Sequence, residues 1–369
     1  MTVKFLDLYE QNQSIKKELL SDIEKIIDTC AFVSGKRVEK FEQSFADYCG
    51  VKFCVATNSG TSALSTALSC TNSDKYIHTS PNSFFATSEA ISHHSKLNPK
   101  FVDVDDTCNM DISKIDSNKD ILLSTSLYGN PCNLTELRKR TEILINDAAQ
   151  AHGSKINNIP IAKFSDMTCF SFYPGKNLGA CGEGGAVVTD SEDLYKHMKA
   201  FINHGMLEKY NHKVVGHNYR MTEMVAASLN IKLRYIEEWT EKRIEIAKQY
   251  KSKLKDNKNI KLMKVEDNNR CVYHIFPIFI KDRDLVQSKL LESGIQTGLH
   301  YPKPIHLQPA YAHMNHKVGD YKISEQQSKT QLSLPIYPEL TLKEVDYVCN
   351  ILNKVKKLTR MEWANAILG

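Results

Sequence analysis

Residues 51–68 read VKFCVATNSGTSALSTAL. An apolar run with strand character ends at Thr57, a turn passes through Ser59, Gly60 and Thr61, and an Ala- and Leu-rich helix begins. The same grammar recurs downstream. YIHTS (76–80) precedes FATSEAISHH (85–94), KFVDVD follows at 100–105, DILLSTSLYG (120–129) precedes LTELRKR (134–140), and EILINDAA occupies 142–149. Strands separated by helices need crossover connections, which predicts a mostly parallel sheet covered on both faces. MTCFSF (167–172) and GGAVVTD (184–190) follow one another closely and are expected to pair as neighbours.

Upstream, Ile15, Leu19, Leu20, Ile23, Ile26 and Ile27 fall at helical spacing and predict an amphipathic helix over Ser14 to Thr29. A second helix is expected over Val38 to Tyr48, stopped by Gly50. Downstream, Tyr219 to Lys255 reads as one long helix or two joined ones. Beyond it, IKLMKV (260–265) and CVYHIFPIFI (271–280) read as strands, DLVQSKLLES (284–293) as a helix and TLKEVDYVCNILNKVKK (341–357) as a closing helix. The expected division is a large domain over residues 1–240 and a small α+β domain over 241–369, with no assigned element after Leu358.

The chain has 369 residues, enough for two cores, and a formal charge of +5 from 48 basic and 43 acidic side chains. That balance does not describe a protein built around nucleic-acid phosphates. No apolar run approaches the roughly 18 residues that span a bilayer, and MTVKFLDLYEQNQ lacks the apolar core of a signal peptide. A cytoplasmic protein without membrane partners is expected. Ten cysteines are scattered with no CxxC pair and mostly sit beside apolar residues, as in KFCVAT, so they read as reduced packing residues. The histidines, including His93-His94 and His313/His316, lack ligands at zinc spacing, and no metal site is expected.

The chemistry concentrates in three stretches. In CFSFYPGKNLGACGEGGAVVT (169–189), Lys176 follows a Pro-Gly turn and precedes a glycine-rich run. A lysine framed by apolar residues loses its proton readily, and a neutral amine condenses with a carbonyl. The glycines match neither GxGxxG nor GxxxxGK[ST]. In EILINDAAQAHGS, Asp147 stands at the carboxyl end of a strand, where ligands of open α/β sheets bind; taken alone it also reads as a helix or turn cap. The Ser59-Gly60-Thr61 turn offers backbone N–H groups to an anion, or is an ordinary N-cap. One ligand with a carbonyl for Lys176, a ring nitrogen for Asp147 and a phosphate for Gly60, Thr61 and Ser171 satisfies all three: pyridoxal 5′-phosphate. Phe84 and Phe85 of PNSFFAT supply an aromatic face for its ring.

At these residues the chain resembles the DegT/DnrJ/EryC1/StrS family of nucleotide-sugar aminotransferases. The likeness runs through FVSGKRVEKFE (32–42), NSGTSAL (58–64), PNSFFAT (81–87), FVDVDDTCNMD (101–111), SLYGNP (126–131), NDAAQAHG (146–153), SFYPGKNLGACGEGGAVVT (171–189), GHNYRMTEMVAA (216–227) and HYPKPIHLQPAY (300–311), in the family's order. The resemblance implies fold type I, the aspartate-aminotransferase-like α/β fold, with a large, mostly parallel mixed sheet and a small C-terminal α+β domain. It also implies roles. Lys176 would hold the cofactor and carry the proton, Asp147 would pair with the pyridine nitrogen, and Gln150 would bond the ring hydroxyl. Gly60, Thr61 and Ser171 would hold the phosphate, and Phe84 would stack on the ring. Asn218 would reach the phosphate of a neighbouring subunit, which makes a homodimer with shared active sites. His306 and Tyr301 would lie near the sugar, with His306 in a catalytic place.

Two positions depart from the family's pattern: Ser126 stands where many members have histidine, and Asn146 opens the segment that reads ED in many. Relatives that dehydrate or deoxygenate sugars carry histidine in place of Lys176, so the lysine points to transamination. The resemblance implies L-glutamate as donor and a nucleotide-linked ketosugar as acceptor. HYPKPIHLQPAY favours a 3-keto-6-deoxyhexose on dTDP or UDP, giving a 3-amino-3,6-dideoxy sugar, over a 4-keto substrate. Arg220, Lys209 and His212 are candidates for the diphosphate, with Lys36 and Arg37 behind them. The rival readings are a sugar-deoxygenating or dehydrating enzyme of the same fold, a cofactor-binding regulator without turnover, and, from the glycine run, a Rossmann dehydrogenase.

Overall fold

The structure is a computed structural model that describes residues 1–115 and 121–355. Its first helix, α1, covers Tyr9–Thr29, starting ahead of the expected Ser14. The second, α2, covers Lys36–Cys49 and stops at Gly50, whose φ of 70° frees its N–H to bond back to Ala46 and Asp47. The start of α2 is capped from a distance: the Glu223 carboxylate accepts from the N–H groups of Gly35, Arg37 and Val38, each at 3.0 Å. Helix starts leave such donors unsatisfied, and a fully buried carboxylate is a strong partner for them.

Seven strands form the main sheet: β1 (Phe53–Thr57), β2 (Ile77–Thr79), β3 (Lys100–Phe101), β4 (Ile121–Thr125), β5 (Ile143–Asp147), β6 (Met167–Ser171) and β7 (Gly185–Thr189), in the order β1-β7-β6-β5-β4-β2-β3. The β2–β3, β2–β4, β4–β5 and β5–β6 pairs are parallel, while β7 runs antiparallel to both β1 and β6. The expected mixed, mostly parallel sheet is therefore present, and MTCFSF does pair with GGAVVTD.

Period-two alternation fills two faces. Cys54, Ala56, Leu122, Leu144, Phe170, Ala186 and Val188 point to one side, where they meet α2, α5 (Leu134–Arg138) and α7 (Glu223–Lys232). Val55, Ile121, Leu123, Ile145, Cys169 and Val187 point to the other, under α3 (Gly60–Leu68), α4 (Phe85–His94) and α6 (Glu192–Phe201). Because β7 reverses direction and β1 reverses it again, the carboxyl ends of β1, β2, β4, β5 and β6 all lie at one edge.

The stretch 219–255 is two helices, α7 and α8 (Ile236–Leu254). The second spans both cores: Ile236 packs in the first, while Ile246, Tyr250 and Leu254 pack in another. That further core is built on a sheet in which β9 (Phe276–Ile280) pairs antiparallel with β8 (Ile260–Leu262) and β10 (Gln331–Leu334). Helices α9 (Arg283–Glu292), α10 (Lys322–Thr330) and α11 (Leu342–Val355) complete this part of the chain. Val3 also belongs to this core, bridged to Ile295. The expected strand at 271–280 forms only from Phe276. Upstream of it, Val272 N–H goes to the Gly129 carbonyl and its own carbonyl takes Asn177, so the backbone leaves the sheet. KFVDVD likewise gives only a short strand, because Asp103 turns its carboxylate to the Ile323 and Ser324 N–H groups at the start of α10.

No helix among the described residues is long and apolar enough to cross a membrane. The cysteines are unpaired and mostly buried, with Cys30 and Cys181 exposed. The tail after Leu358 lies outside the described residues.

Candidate active site

The shared edge of carboxyl ends collects the residues that matter. Asp147 closes β5 and is buried. Its Oδ2 accepts from Thr87 Oγ1 at 2.8 Å and its Oδ1 from Ala149 N–H at 3.1 Å. Thr87 Oγ1 in turn lies 2.7 Å from Ser83 Oγ, which Thr125 Oγ1 approaches at 3.4 Å. Burial pushes the Asp147 carboxyl up from the usual carboxylate range, and the hydrogen bond from Thr87 works against it.

Lys176 follows β6 in a tight turn, its N–H bonded to the Tyr173 carbonyl at 2.8 Å. Burial pushes its ammonium down to about 8, with the charge of Asp147 opposing. Three imidazoles surround the amine electrostatically. His152 is pushed down to about 3, His300 to about 4 and His274 well below its ordinary value, first by burial and then by the Lys176 charge. All three are therefore neutral near pH 7. His152 is buried against Phe170 and Phe172.

The anion turn is built by close contact. Gly60 opens α3, and a Cβ placed on it would sit 2.6 Å from Ser171 Cβ, so only glycine lets the helix start lie against this serine. Ser59 caps the helix by accepting from Ser62 N–H at 3.0 Å. The N–H groups of Gly60 and Thr61, in the first turn, have no helix carbonyl of their own to bond.

On the opposite wall, Gln150 is held between two tyrosines: its Oε1 accepts from Tyr128 N–H at 2.7 Å, and its Nε2 donates to the Tyr301 hydroxyl at 3.2 Å. Tyr128 has a φ of 61°, unusual for a residue with a side chain, and is fixed there by that bond and by its hydroxyl donating to the His300 carbonyl. Tyr301 packs on Phe84 with ring centroids 5.7 Å apart, and Phe84 itself is 57% exposed, leaving a ring face open.

The fold thus brings together Gly60, Thr61, Phe84, Asp147, Gln150, Ser171, Lys176 and Tyr301. Asn218 and Arg220 lie next to this group: Asn58, just before the anion turn, donates its backbone N–H to the Tyr219 carbonyl at 2.8 Å and its Nδ2 to the Asn218 carbonyl at 3.4 Å. Arg220 Nε reaches Asn218 Oδ1 at 3.1 Å, and its NH1 reaches Asn203 Oδ1 at 2.7 Å. His306 has partners of its own. It is buried, its Nε2 lies 3.2 Å from Glu325 Oε1, and its ring meets Tyr321; it makes no hydrogen bond to Lys176, Asp147 or Gln150. Lys209 and His212 sit on an exposed two-stranded hairpin, with Lys209 over the Tyr210 ring and His212 Nδ1 at 2.8 Å from the His204 carbonyl. Arg37 is occupied by Asp22 at 2.8 Å.

Sequence reasoning missed Thr87, Tyr128, His152, His274 and Asn177 as neighbours of the site. Thr87 closes PNSFFAT and His152 lies within NDAAQAHG, so both motifs already contained them. His274 sits in a run that reads as strand, and no local pattern announces its approach to Asn177 Oδ1 at 3.2 Å.

The donor set fits pyridoxal 5′-phosphate on this geometry alone: a buried carboxylate for a ring nitrogen, an amine of lowered pKa for a carbonyl, a helix start pressed against a serine for a phosphate, and an open aromatic face for the ring. Comparison with known proteins agrees. Residues 13–353 match the family model described as DegT/DnrJ/EryC1/StrS aminotransferase family. The chain is 35% identical to the erythromycin biosynthesis sensory transduction protein EryC1 of Saccharopolyspora erythraea, over 94% of this chain and 98% of that protein. It is also 35% identical to a dTDP-3-amino-3,6-dideoxy-alpha-D-galactopyranose transaminase of Aneurinibacillus thermoaerophilus, over 95% and 99% of the two chains. The crystal structure of Streptomyces venezuelae DesV in complex with a ketimine intermediate superposes with a TM-score of 0.93 at 32% identity, covering 96% of this chain and 99% of that one. The family depends on pyridoxal phosphate, and a solved Bacillus subtilis structure, 29% identical with a TM-score of 0.88, holds the cofactor as PMP. The chain belongs to the DegT/DnrJ/EryC1/StrS aminotransferase family and is a pyridoxal-phosphate-dependent enzyme of the transaminase class.

Proposed function

We propose that this enzyme moves an amino group from L-glutamate to carbon 3 of a nucleotide-linked 3-keto-6-deoxyhexose, carried by dTDP or UDP, and so makes a 3-amino-3,6-dideoxy sugar. The observation that carries the reading is the pairing of a Lys176 amine lowered to about 8 with the buried Asp147 carboxylate at one sheet edge. The choice of carbon is supported by the likeness to the Aneurinibacillus 3-amino-sugar transaminase.

Bound at this edge, pyridoxal phosphate supplies a carbonyl that takes up the amino group and a protonated ring that accepts the electron pair left by the departing α-proton. The protein does the rest. Asp147 would keep the ring nitrogen protonated; Gly60, Thr61 and Ser171 would hold the phosphate; Gln150 would serve the ring hydroxyl; Phe84 would cover the ring. Lys176 Nζ would hold the cofactor at its carbonyl carbon. As a neutral amine the same nitrogen would take and return the α-proton of glutamate. The same residues would serve the ketosugar once 2-oxoglutarate has left. Tyr301 and His306 border the sugar, with the His306 loop acting as its wall.

The site is completed by a second copy of the chain in a homodimer. Phe84 and Tyr173, both more than half exposed, need a cover, and Asn218 is the residue we assign to the partner's phosphate. Arg220, Lys209 and His212 then serve the diphosphate.

The test is an assay of the purified protein with L-glutamate and dTDP-linked 3-keto and 4-keto sugars side by side. Release of 2-oxoglutarate that depends on Lys176, with preference for the 3-keto sugar, is expected. Equal or better use of the 4-keto sugar removes the choice of carbon, and no 2-oxoglutarate with any sugar removes transamination. The second outcome would favour a regulator without turnover, a reading the name of the Saccharopolyspora relative brings forward.

A further inference from the structure

One buried cation has no part in the chemistry above. Lys232, the last residue of α7, is 1% exposed, and its Nζ donates to the Gly179 carbonyl at 2.9 Å. One helical turn earlier, on the same face, Ser228 Oγ accepts from Cys181 N–H at 3.1 Å. These two contacts grip the segment that immediately follows Lys176. The segment is folded tightly in its own right: Ala180 N–H returns to the Phe172 carbonyl at 2.8 Å, and a Cβ on Gly179 would sit 2.1 Å from the Pro174 carbonyl oxygen. From the other side, Asn177 Nδ2 donates to the Val272 carbonyl at 3.1 Å. The turn carrying Lys176 therefore hangs between α7 and the approach to β9.

We propose that Lys232 is a positioning residue for Lys176: its ammonium, with Ser228, clips residues 179–181 to α7 and so sets where the Lys176 amine stands against the reactive carbon. An ammonium is costly to bury, and a shorter or apolar side chain would fill this space without that cost. What the lysine adds is a side-chain donor for the carbonyl of the buried Gly179, in a loop whose neighbour must be held to within a fraction of an ångström. The inference rests on Lys176 as the cofactor-holding residue.

The experiment compares Lys232→Met, which keeps the length and removes the donor, with Lys232→Arg, which keeps donors. In the cofactor-free protein, hydrogen exchange of the peptide spanning residues 177–184 is measured against peptides of β4 and β5. In the protein mixed with pyridoxal phosphate, the rate at which borohydride traps the cofactor on Lys176 is followed by mass spectrometry, and kcat and KM are then taken for the amino donor. Lys232→Met should speed exchange in 177–184 alone, slow trapping and kcat by on the order of tenfold, and leave KM nearly unchanged. Lys232→Arg should recover most of both. The proposal is overturned if Lys232→Met leaves loop exchange and trapping within about twofold of the parent, or if exchange rises equally in β4 and β5, which would make Lys232 a general stabiliser. A Lys232→Met protein that fails to fold is replaced by Lys232→Gln, whose amide stops one bond short of Gly179, and the same outcomes decide. If the parent traps no cofactor on Lys176, the proposed function falls, while the exchange comparison still decides the clip.

Discussion

Thr87 and Asp147 share a buried hydrogen bond of 2.8 Å, although they come from separate strand–helix units of the sheet. The threonine sits one turn into α4 and the aspartate ends β5, so the hydroxyl is presented to the carboxylate by the fold itself. Burial raises the Asp147 pKa and this bond works against it, so Thr87 favours the ionised form of the carboxylate.

Thr87→Val removes the donor with little change of shape. The Asp147 carboxyl then moves further up, and the acid limb of the pH–rate profile moves to higher pH with it. Loss of a hydrogen bond to a charged group costs about 1.5–3 kcal/mol, so cofactor affinity, read by fluorescence titration, should fall about tenfold or more. An unchanged acid limb would show that Asp147 is not the group that limits activity at low pH.

Lys176 is predicted to set the alkaline behaviour of the cofactor-free protein. Its folded pKa of about 8 lies below the ordinary lysine value, so its neutral form appears as pH rises through 8, while exposed lysines stay charged. Stopped-flow uptake of pyridoxal phosphate should therefore accelerate between pH 7 and 9 and then level off. In Lys176→Ala both the phase and turnover should vanish.

Glu223→Gln tests the cap on α2. The amide presents one acceptor oxygen where the carboxylate serves three backbone donors, so at least one N–H is left buried without a partner. The expected cost is about 1–3 kcal/mol, visible as a Tm lowered by several degrees, with cofactor binding retained once the protein is folded.

Shared active sites can be tested by complementation. Lys176→Ala and Asn218→Ala homodimers should both be impaired, the first completely. In a randomly paired mixture, half the molecules are heterodimers with one intact site of two, so about a quarter of parental activity should return. No recovery on mixing, or sedimentation as a monomer, would remove the partner role of Asn218.

Much of this site was legible because its parts end strands. Asp147, Ser171 and the Ser59–Thr61 turn each close an apolar run, and a parallel sheet gathers such ends at one edge whatever the loops do. Lys176 was legible from the Pro-Gly turn before it and the glycine-rich run after it. What the sequence concealed was contact between distant loops. His274 and Val272 lie in a run that is apolar enough for a strand, yet their backbone is drawn off to Gly129 and Asn177. The side-chain preference was outweighed by tertiary hydrogen bonds, which no local pattern encodes. His306 illustrates the converse: the motif around it was plain, but its partner Glu325 sits on another helix, where no local pattern points to it.

The contact between Gly60 and Ser171 has a consequence for any effort to evolve the enzyme. Each occupies the room the other would need, so the two codons form one unit of selection despite their separation along the gene. A library randomised at position 60 alone should return glycine almost exclusively. Randomised together with position 171, it should recover alanine at 60 only in clones that carry glycine at 171, where the obstructing Cβ has gone.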